Sequence, residues 1–198
     1  MNYLAHAYLS FRDPEILVGN IISDFVKGKK KFDYPKNILK GIELHRAIDQ
    51  FTDQHDVTRM SKEIFRPYYR LYSGAFTDIV YDHYLANDLT KFNETQLLDF
   101  SQWVYITLND YQQYFPEHFS RMYPYMKQQN WLYNYRLRSG MEKSFGGLVR
   151  RAAYLTESEM AFRLFEENYE RLNRYYQSFF PELYHFAFNQ MKEIQLSG

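Results

Sequence analysis

The sequence predicts an all-α protein, and three observations point there. Val, Ile and Thr together supply only 23 of 198 residues, and no stretch sustains the apolar–polar alternation of a half-buried strand. Apolar positions recur instead at intervals of three and four, the period of one helix face. Gly and Pro punctuate those periodic stretches rather than interrupt them. Aromatic residues make up 20% of the chain, with 20 Tyr and 17 Phe. As a class they favour strands, so here pattern stands against propensity, and the same residues are expected to dominate the core.

In chain order, helices are expected over 2–12 and 14–26, parted by Asp13-Pro14. The run Gly28-Lys29-Lys30-Lys31 closes the second. Pro35, well placed as a first helical residue, opens a third over 35–54, where Ile38, Ile42, Leu44, Ile48 and Phe51 mark the apolar face. Ser73-Gly74 divides 60–72 from 74–88, and Phe115-Pro116 divides 95–114 from 117–129. A helix over 132–148 ends on Gly146-Gly147. The last two, 157–178 and 181–194, part at Phe180-Pro181; Phe162, Phe165, Tyr169, Leu172 and Tyr176 carry the period of the first. None of these breaks is a domain linker and no internal repeat is present, so one helical domain over 1–198 is expected.

Composition excludes several functions. With 24 Lys+Arg against 24 Asp+Glu the net charge is zero, which argues against sequence-blind nucleic-acid binding, since that needs an excess of cations to displace counterions. The absence of cysteine removes disulfides, thiolate metal sites and cysteine nucleophiles. No basic segment precedes an apolar one at the N-terminus, and nowhere do 18 apolar residues run together, so neither a signal peptide nor a membrane span is expected. A cytoplasmic location follows as an expectation.

The informative residues are acids and imidazoles four apart within otherwise apolar helices. Gly41, His45, Asp49 and Asp53 form one such series, with Arg46 and Thr52 beside it; Asp78 and Asp82 form a second, with His83 adjacent. Asn20 and Asp24, and Asn2 and His6, repeat the spacing. Residues four apart share a helix face, and a carboxylate in an apolar setting is costly unless paired or bound to metal. Any one pair reads as readily as a solvated face or an Arg partner, and His6 alone as a satisfied core histidine. Four pairs within the first 90 residues suggest convergence on a site of imidazoles and carboxylates, which suits Mn²⁺ or Mg²⁺. The literal His55-Asp56 doublet lies in a polar run and is expected to be a solvent-exposed helix end.

Taken in order, Asn2-Tyr3-Leu4-Ala5-His6, Gly19-Asn20-Ile21-Ile22-Ser23-Asp24, the Gly41 to His55 series and Asp78-x-x-x-Asp82-His83 resemble the blocks of the acyl carrier protein phosphodiesterase family. Trp131-Leu132-x-x-Tyr135, Gly147-Leu148-Val149-Arg150-Arg151 and Phe180-Pro181 extend the likeness over nearly the whole chain. The resemblance implies an all-helical, divergent relative of the HD phosphohydrolases. It also implies a divalent metal, Mn²⁺ first and Mg²⁺ second, and hydrolysis of the phosphodiester joining 4′-phosphopantetheine to a serine of holo-acyl carrier protein. Carried over by position, Asp24, His45, Asp49, Asp78 and Asp82 are expected at the metal. His83 or His6 would then protonate the leaving group, and Arg46 would grip a phosphoryl oxygen.

Two features extend that expectation. Lys27, Lys29, Lys30 and Lys31 crowd one loop, and from Val26 to Arg46 seven basic residues face two acids; this reads either as a solvated loop or as a dock for an acidic carrier protein. Some aromatics, among them Tyr68, Tyr72, Trp103, Trp131, Tyr133 and Tyr135, would line a channel for the pantetheine arm if they are not all core. Two rival functions remain open at this point: an HD-type phosphohydrolase acting on a nucleotide or small phosphoester, and a non-catalytic helical module binding an acidic partner.

Overall fold

The computed structural model describes residues 1–196, and every regular element among them is helical. The α-helices are α1 (Tyr3–Tyr8), α2 (Pro14–Ile22), α3 (Lys36–Gln54), α4 (Asp56–Tyr69), α5 (Ser73–Asn87), α6 (Glu94–Asp110), α7 (Glu117–Gln128), α8 (Trp131–Asn134), α9 (Arg138–Arg151), α10 (Glu159–Glu167) and α11 (Tyr169–Leu196). Short 3₁₀ turns occupy Ser23–Phe25, Gly28–Asp33, Arg70–Tyr72 and Gln112–Tyr114. The all-α expectation holds, and the helices share one core. No helix among the described residues is long and apolar enough to cross a membrane.

The tightest crossing joins α2 and α3. A Cβ placed on Gly19 would lie 2.0 Å from the Ile38 carbonyl oxygen, and one on Gly41 would lie 2.3 Å from the Ile16 carbonyl oxygen. The backbones therefore touch, which only glycine at both positions permits. Gly41 belongs to the polar stripe of α3 by spacing, and its structural use is this contact.

Helix α1 is too short to be stable alone and is held from outside. Both carboxylate oxygens of Asp82 on α5 accept from its first turn: Oδ2 from the Leu4 N–H at 2.7 Å and Oδ1 from the Ala5 N–H at 3.1 Å. A carboxylate at a helix N-terminus satisfies orphan donors and opposes the dipole. Deeper in, Phe65 of α4, Phe76 of α5, Phe145 of α9 and Phe165 of α10 form a chain of edge and stacked contacts, and α11 packs across α3, α4 and α5.

Several expected boundaries move. Helix α1 ends at Tyr8, because Phe11 and Arg12 take positive φ and Asp13 starts α2 by accepting from the Glu15 and Ile16 N–H groups. Helix α2 tightens to 3₁₀ after Ile22, which takes Asp24 off the helical register of Asn20. The expected loop at 28–31 is itself 3₁₀. Helix α4 begins four residues earlier than expected, at Asp56. The polar run there is its first turn, capped by His55, whose Nδ1 accepts from the Val57 N–H. Gly146-Gly147 does not break α9; the interruption lies at 135–137. Pro181 does not end α11 either. Its lost backbone bond costs about 3 kcal/mol, but Leu172, Tyr176, Phe179, Phe180, Leu183 and Ala187 around it are all buried, and that burial outweighs the loss.

Gly41→Ala should lower stability by about 3 kcal/mol, because backbone pressed on backbone cannot relax by a rotamer change. Thermal unfolding should then shift down by roughly 6–12 °C. An unchanged midpoint would show that the two helices can separate without loss.

Candidate metal centre

The α2–α3 crossing places Asn20, next to Gly19, against His45, one turn beyond Gly41. Asn20 is fully buried and addresses two imidazoles. Its side-chain amide donates to the His6 carbonyl at 2.9 Å and to Ser10 Oγ at 3.0 Å, so its Oδ1 is the acceptor that faces His6 Nδ1 at 2.7 Å. Its backbone carbonyl accepts from His45 Nδ1 at 2.7 Å. Both histidines thus carry their proton on Nδ1, and both present Nε2 to the same space. The rings stack with centroids 3.9 Å apart and planes 12° from parallel.

Carboxylates fill that space. Asp49 places Oδ1 3.2 Å from His6 Nε2 and Oδ2 3.1 Å from His45 Nε2, while Asp24 reaches His45 Nε2 at 3.1 Å from an exposed position. The α-amino group of Met1 lies between Asp49 Oδ1 at 3.2 Å and Asp78 Oδ1 at 3.1 Å. Burial, reinforced by His45, pushes His6 down to about 4. Burial would depress His45 too, yet Asp24 and Asp49 lift it to about 9. Against the effect of burial, the neighbouring ammonium and imidazoles hold Asp49 far below the ordinary carboxylate range.

These donors suit a divalent cation. Ligand atoms of His6, His45 and Asp49 all lie within 4.8 Å of one another. His6 Nε2 is buried with no hydrogen-bonding partner, so a bare lone pair faces a carboxylate oxygen, which is unfavourable unless a positive charge lies between them. Two imidazoles whose other nitrogens donate to a backbone carbonyl and an amide oxygen, together with one or two carboxylates, could hold such a cation with both rings already oriented.

Not every expected site residue arrives here. Asp78 reaches the cluster only through the Met1 amine. Asp82, expected at the metal, has both oxygens committed to α1, and burial pushes its pKa up to about 7. His83, expected as the acid, donates from Nδ1 to the Tyr135 carbonyl at 2.7 Å and accepts from the Tyr169 hydroxyl at 3.0 Å. It is a buried tie between α5, the 135–137 segment and α11, and its contacts lie with Tyr135, Tyr169, Tyr84 and Phe165, outside the cluster. Arg46 donates to the Val26 carbonyl at 3.0 Å and so ties the lysine loop to α3. Asp53 leaves the stripe to pair with Lys62 at 2.7 Å. Of the four loop lysines, Lys27, Lys29 and Lys30 are exposed and Lys31 pairs with Glu43 at 2.8 Å. His55 is half-buried against Phe179 and Phe51 rather than in solvent. Sequence reasoning missed Asn20 as the hub, although its spacing from Asp24 had marked it.

Two concavities are lined by residues close in sequence to those of the cluster. One, of about 680 Å³, is lined by Lys62, Arg66 and Arg70 together with Asp53 and Asp78. The other, of about 690 Å³, opens beside Asn2, Tyr3 and Ile79.

A sequence model described as acyl carrier protein phosphodiesterase matches residues 1–183. The chain belongs to the acyl carrier protein phosphodiesterase family. Relatives bearing that name include one from Photorhabdus laumondii subsp. laumondii, 28% identical over 191 residues that cover 96% of each chain. Another, from Klebsiella pneumoniae subsp. pneumoniae, is 28% identical over 96% of this chain and 99% of its own. A third, from Yersinia pestis, is 28% identical over 92% and 95%. No solved structure matches the chain. Membership in the family makes this a phosphoric diester hydrolase, and the cluster of His6, His45 and Asp49 is where its geometry gathers metal-ligating groups.

His83 provides a test of its structural assignment. Burial lowers its pKa to about 4, against about 6.5 in an unfolded chain. Between those values the unfolded state binds the proton and the native state does not, so His83 should make stability fall as pH drops from 6.5 towards 4, by roughly 3 kcal/mol in total. His83→Gln is less stable at pH 7.5, and its deficit relative to wild type should shrink at pH 4.5 in urea unfolding. An equal deficit at both pH values would mean that His83 is not held neutral.

Proposed function

We propose that the protein hydrolyses the phosphodiester between 4′-phosphopantetheine and a serine of holo-acyl carrier protein, releasing the apo-carrier and free 4′-phosphopantetheine. A divalent cation is held by His6, His45, Asp49 and Asp24. The observation that carries the reading is the pair of Nε2 atoms fixed by Asn20 and converging on Asp49; family membership supports the substrate. Two imidazole donors favour Mn²⁺ over Mg²⁺, which prefers oxygen and water. Bound there, the cation supplies positive charge for the phosphoryl oxygens and lowers the pKa of a water nucleophile.

The chain's own residues do the rest. Asn20 fixes both tautomers, so neither imidazole can turn away from the site. Asp24 and half-exposed Asp49 form the open edge at which a protein-borne phosphodiester can approach. His6 moves from the expected acid to a ligand, because its Nε2 is buried against Asp49 rather than open to a leaving group. Arg46 acts as a positioning residue that anchors the lysine loop beside Asp24. Lys27, Lys29 and Lys30 then offer exposed positive charge to an acidic carrier at that edge, which speeds encounter and orients it. A chain without cysteine suits the reducing, cytoplasmic setting expected from its sequence.

Mass spectrometry of holo-carrier incubated with the protein and Mn²⁺ should show loss of the phosphopantetheine mass, and chelation should abolish it. His45→Ala and Asp49→Ala should each reduce kcat/KM at least about 100-fold, and Asn20→Ala by about 10–100-fold, the range for an outer-shell partner. Intact activity in either ligand variant would remove the cluster from the reaction. In a separate assay, Lys29→Glu with Lys30→Glu should raise KM for the carrier at low salt, with the difference fading as salt rises. Equal KM values at low salt would place docking elsewhere.

A further inference from the structure

The proposed reaction needs a place for the long, neutral part of the substrate, and the concavity of about 690 Å³ beside α1 meets that need on several counts. Its size falls within the range of small-molecule sites. Tyr3, Met122, Trp131 and Tyr135 form its apolar wall, and Lys143, Arg150 and Arg151 supply donors at its edge. Tyr3 and Trp131 stand 6.4 Å apart between ring centroids, and the Tyr3 hydroxyl contacts the Met122 sulfur at 3.7 Å. Its lining includes the start of the segment that carries His6. Asn2 and Tyr3 begin the helix that carries His6, and Ile79 follows Asp78. The Tyr3 phenol, raised chiefly by burial, also feels the charges of Arg151 and Asp24.

Gly147 supplies an independent observation. Glycine within a helix costs about 1 kcal/mol relative to alanine, and α9 runs through Gly146-Gly147 regardless. Gly140, on the same helix, has a packing reason: a Cβ there would lie 1.8 Å from the Asn134 carbonyl oxygen, so α8 rests directly on α9. Gly147 has none. It lacks positive φ, and a Cβ would meet only the guanidinium ends of Arg151 at 3.5 Å and Arg150 at 3.7 Å. What a side chain at 147 would take is space in the concavity it lines.

We infer that this cleft, floored by Gly147 and walled by Tyr3, Met122, Trp131 and Tyr135, binds the pantetheine arm of the substrate. The phosphate end lies towards Arg151 and towards Tyr3, which begins the helix that carries His6. The aromatic and thioether surfaces take the gem-dimethyl and methylene groups, and the arginine and lysine N–H groups donate to the two amide carbonyls. The assignment rests on the hydrolysis proposed above for its ligand, and on this cleft alone for its location.

Trp131 makes it directly testable, since the chain has only two tryptophans. The other, Trp103, packs on Phe100 under the Arg12 guanidinium, so Trp103→Phe leaves Trp131 as the sole reporter. Titration of that variant with 4′-phosphopantetheine should give a saturable change in fluorescence. Adding Gly147→Leu, which improves helix propensity and should keep or raise the melting temperature, should weaken binding at least 10-fold. Tyr125→Ala, at an exposed lining position, removes wall without endangering the fold and should weaken it several-fold. Gly146→Ala, which lies outside the lining, should bind like its parent. No saturable change up to millimolar ligand, or undiminished binding in both cleft variants, overturns the assignment. Holo-carrier cleavage separates the two proposals. Wild type that binds the arm without cleaving holo-carrier sinks the reaction and keeps the cleft. Wild type that cleaves, with the same kcat/KM in the Gly147→Leu protein, keeps the reaction and sinks the cleft.

Discussion

Two helix backbones touch at Gly19 and Gly41, and the chemistry of the centre depends on that contact. It brings the Asn20 carbonyl within 2.7 Å of His45 Nδ1. From the same residue the side chain reaches α1 to hold His6. One buried residue therefore sets the tautomer of both imidazoles and the direction of both free nitrogens, His6 through its side chain and His45 through its backbone carbonyl. Ordinary helix separations of 8–10 Å would put these groups out of hydrogen-bonding range and leave the imidazoles free to rotate.

The second dependence is electrostatic. His45 is lifted by two carboxylates while His6 is depressed by burial and by His45 itself, so the two stacked rings are driven to opposite protonation states. His6, His45 and Asp49 would hold a cation with both conditions relieved, since it would satisfy the lone pair on His6 and take the place of the proton on His45. The chain's net charge of zero hides this local imbalance. Carboxylates are concentrated at the centre, and exposed lysines stand on the loop that Arg46 pins to its edge.

Much of this was legible. The 3.6-residue period and the scarcity of β-branched residues placed the helices, and the spacing of four selected His45 with Asp49 on one helix and marked Asn20 on another. What misled was treating every repeat of that spacing as equivalent. Asp78–Asp82 has the same signature as His45–Asp49, yet Asp82 caps a helix 77 and 78 residues away in sequence, and His83 ties α5 to α11. Spacing within one helix reports a shared face and says nothing of which neighbouring element that face meets. At Gly146-Gly147 and Phe180-Pro181 local propensity disfavours helix and so predicts breaks. The burial around Pro181 carried its helix through, and at Gly147 an open cleft explains the glycine better than a chain break does.

By itself the sequence determined the helical class, the family likeness, the donor types available and the absence of thiols, since these follow from composition, period and ordered motifs. Tertiary structure alone decided which acid converges with the imidazoles and which caps a helix, and that His6 Nε2 faces Asp49. It also decided that an amphipathic cleft opens beside Asn2 and Tyr3. The reason is physical: a side chain's chemistry is set by the few groups within about 3 Å of its polar atoms. At this centre those groups come from Met1, α1, α2 with the 3₁₀ turn after it, α3 and α5, which the sequence lists separately and only packing brings together.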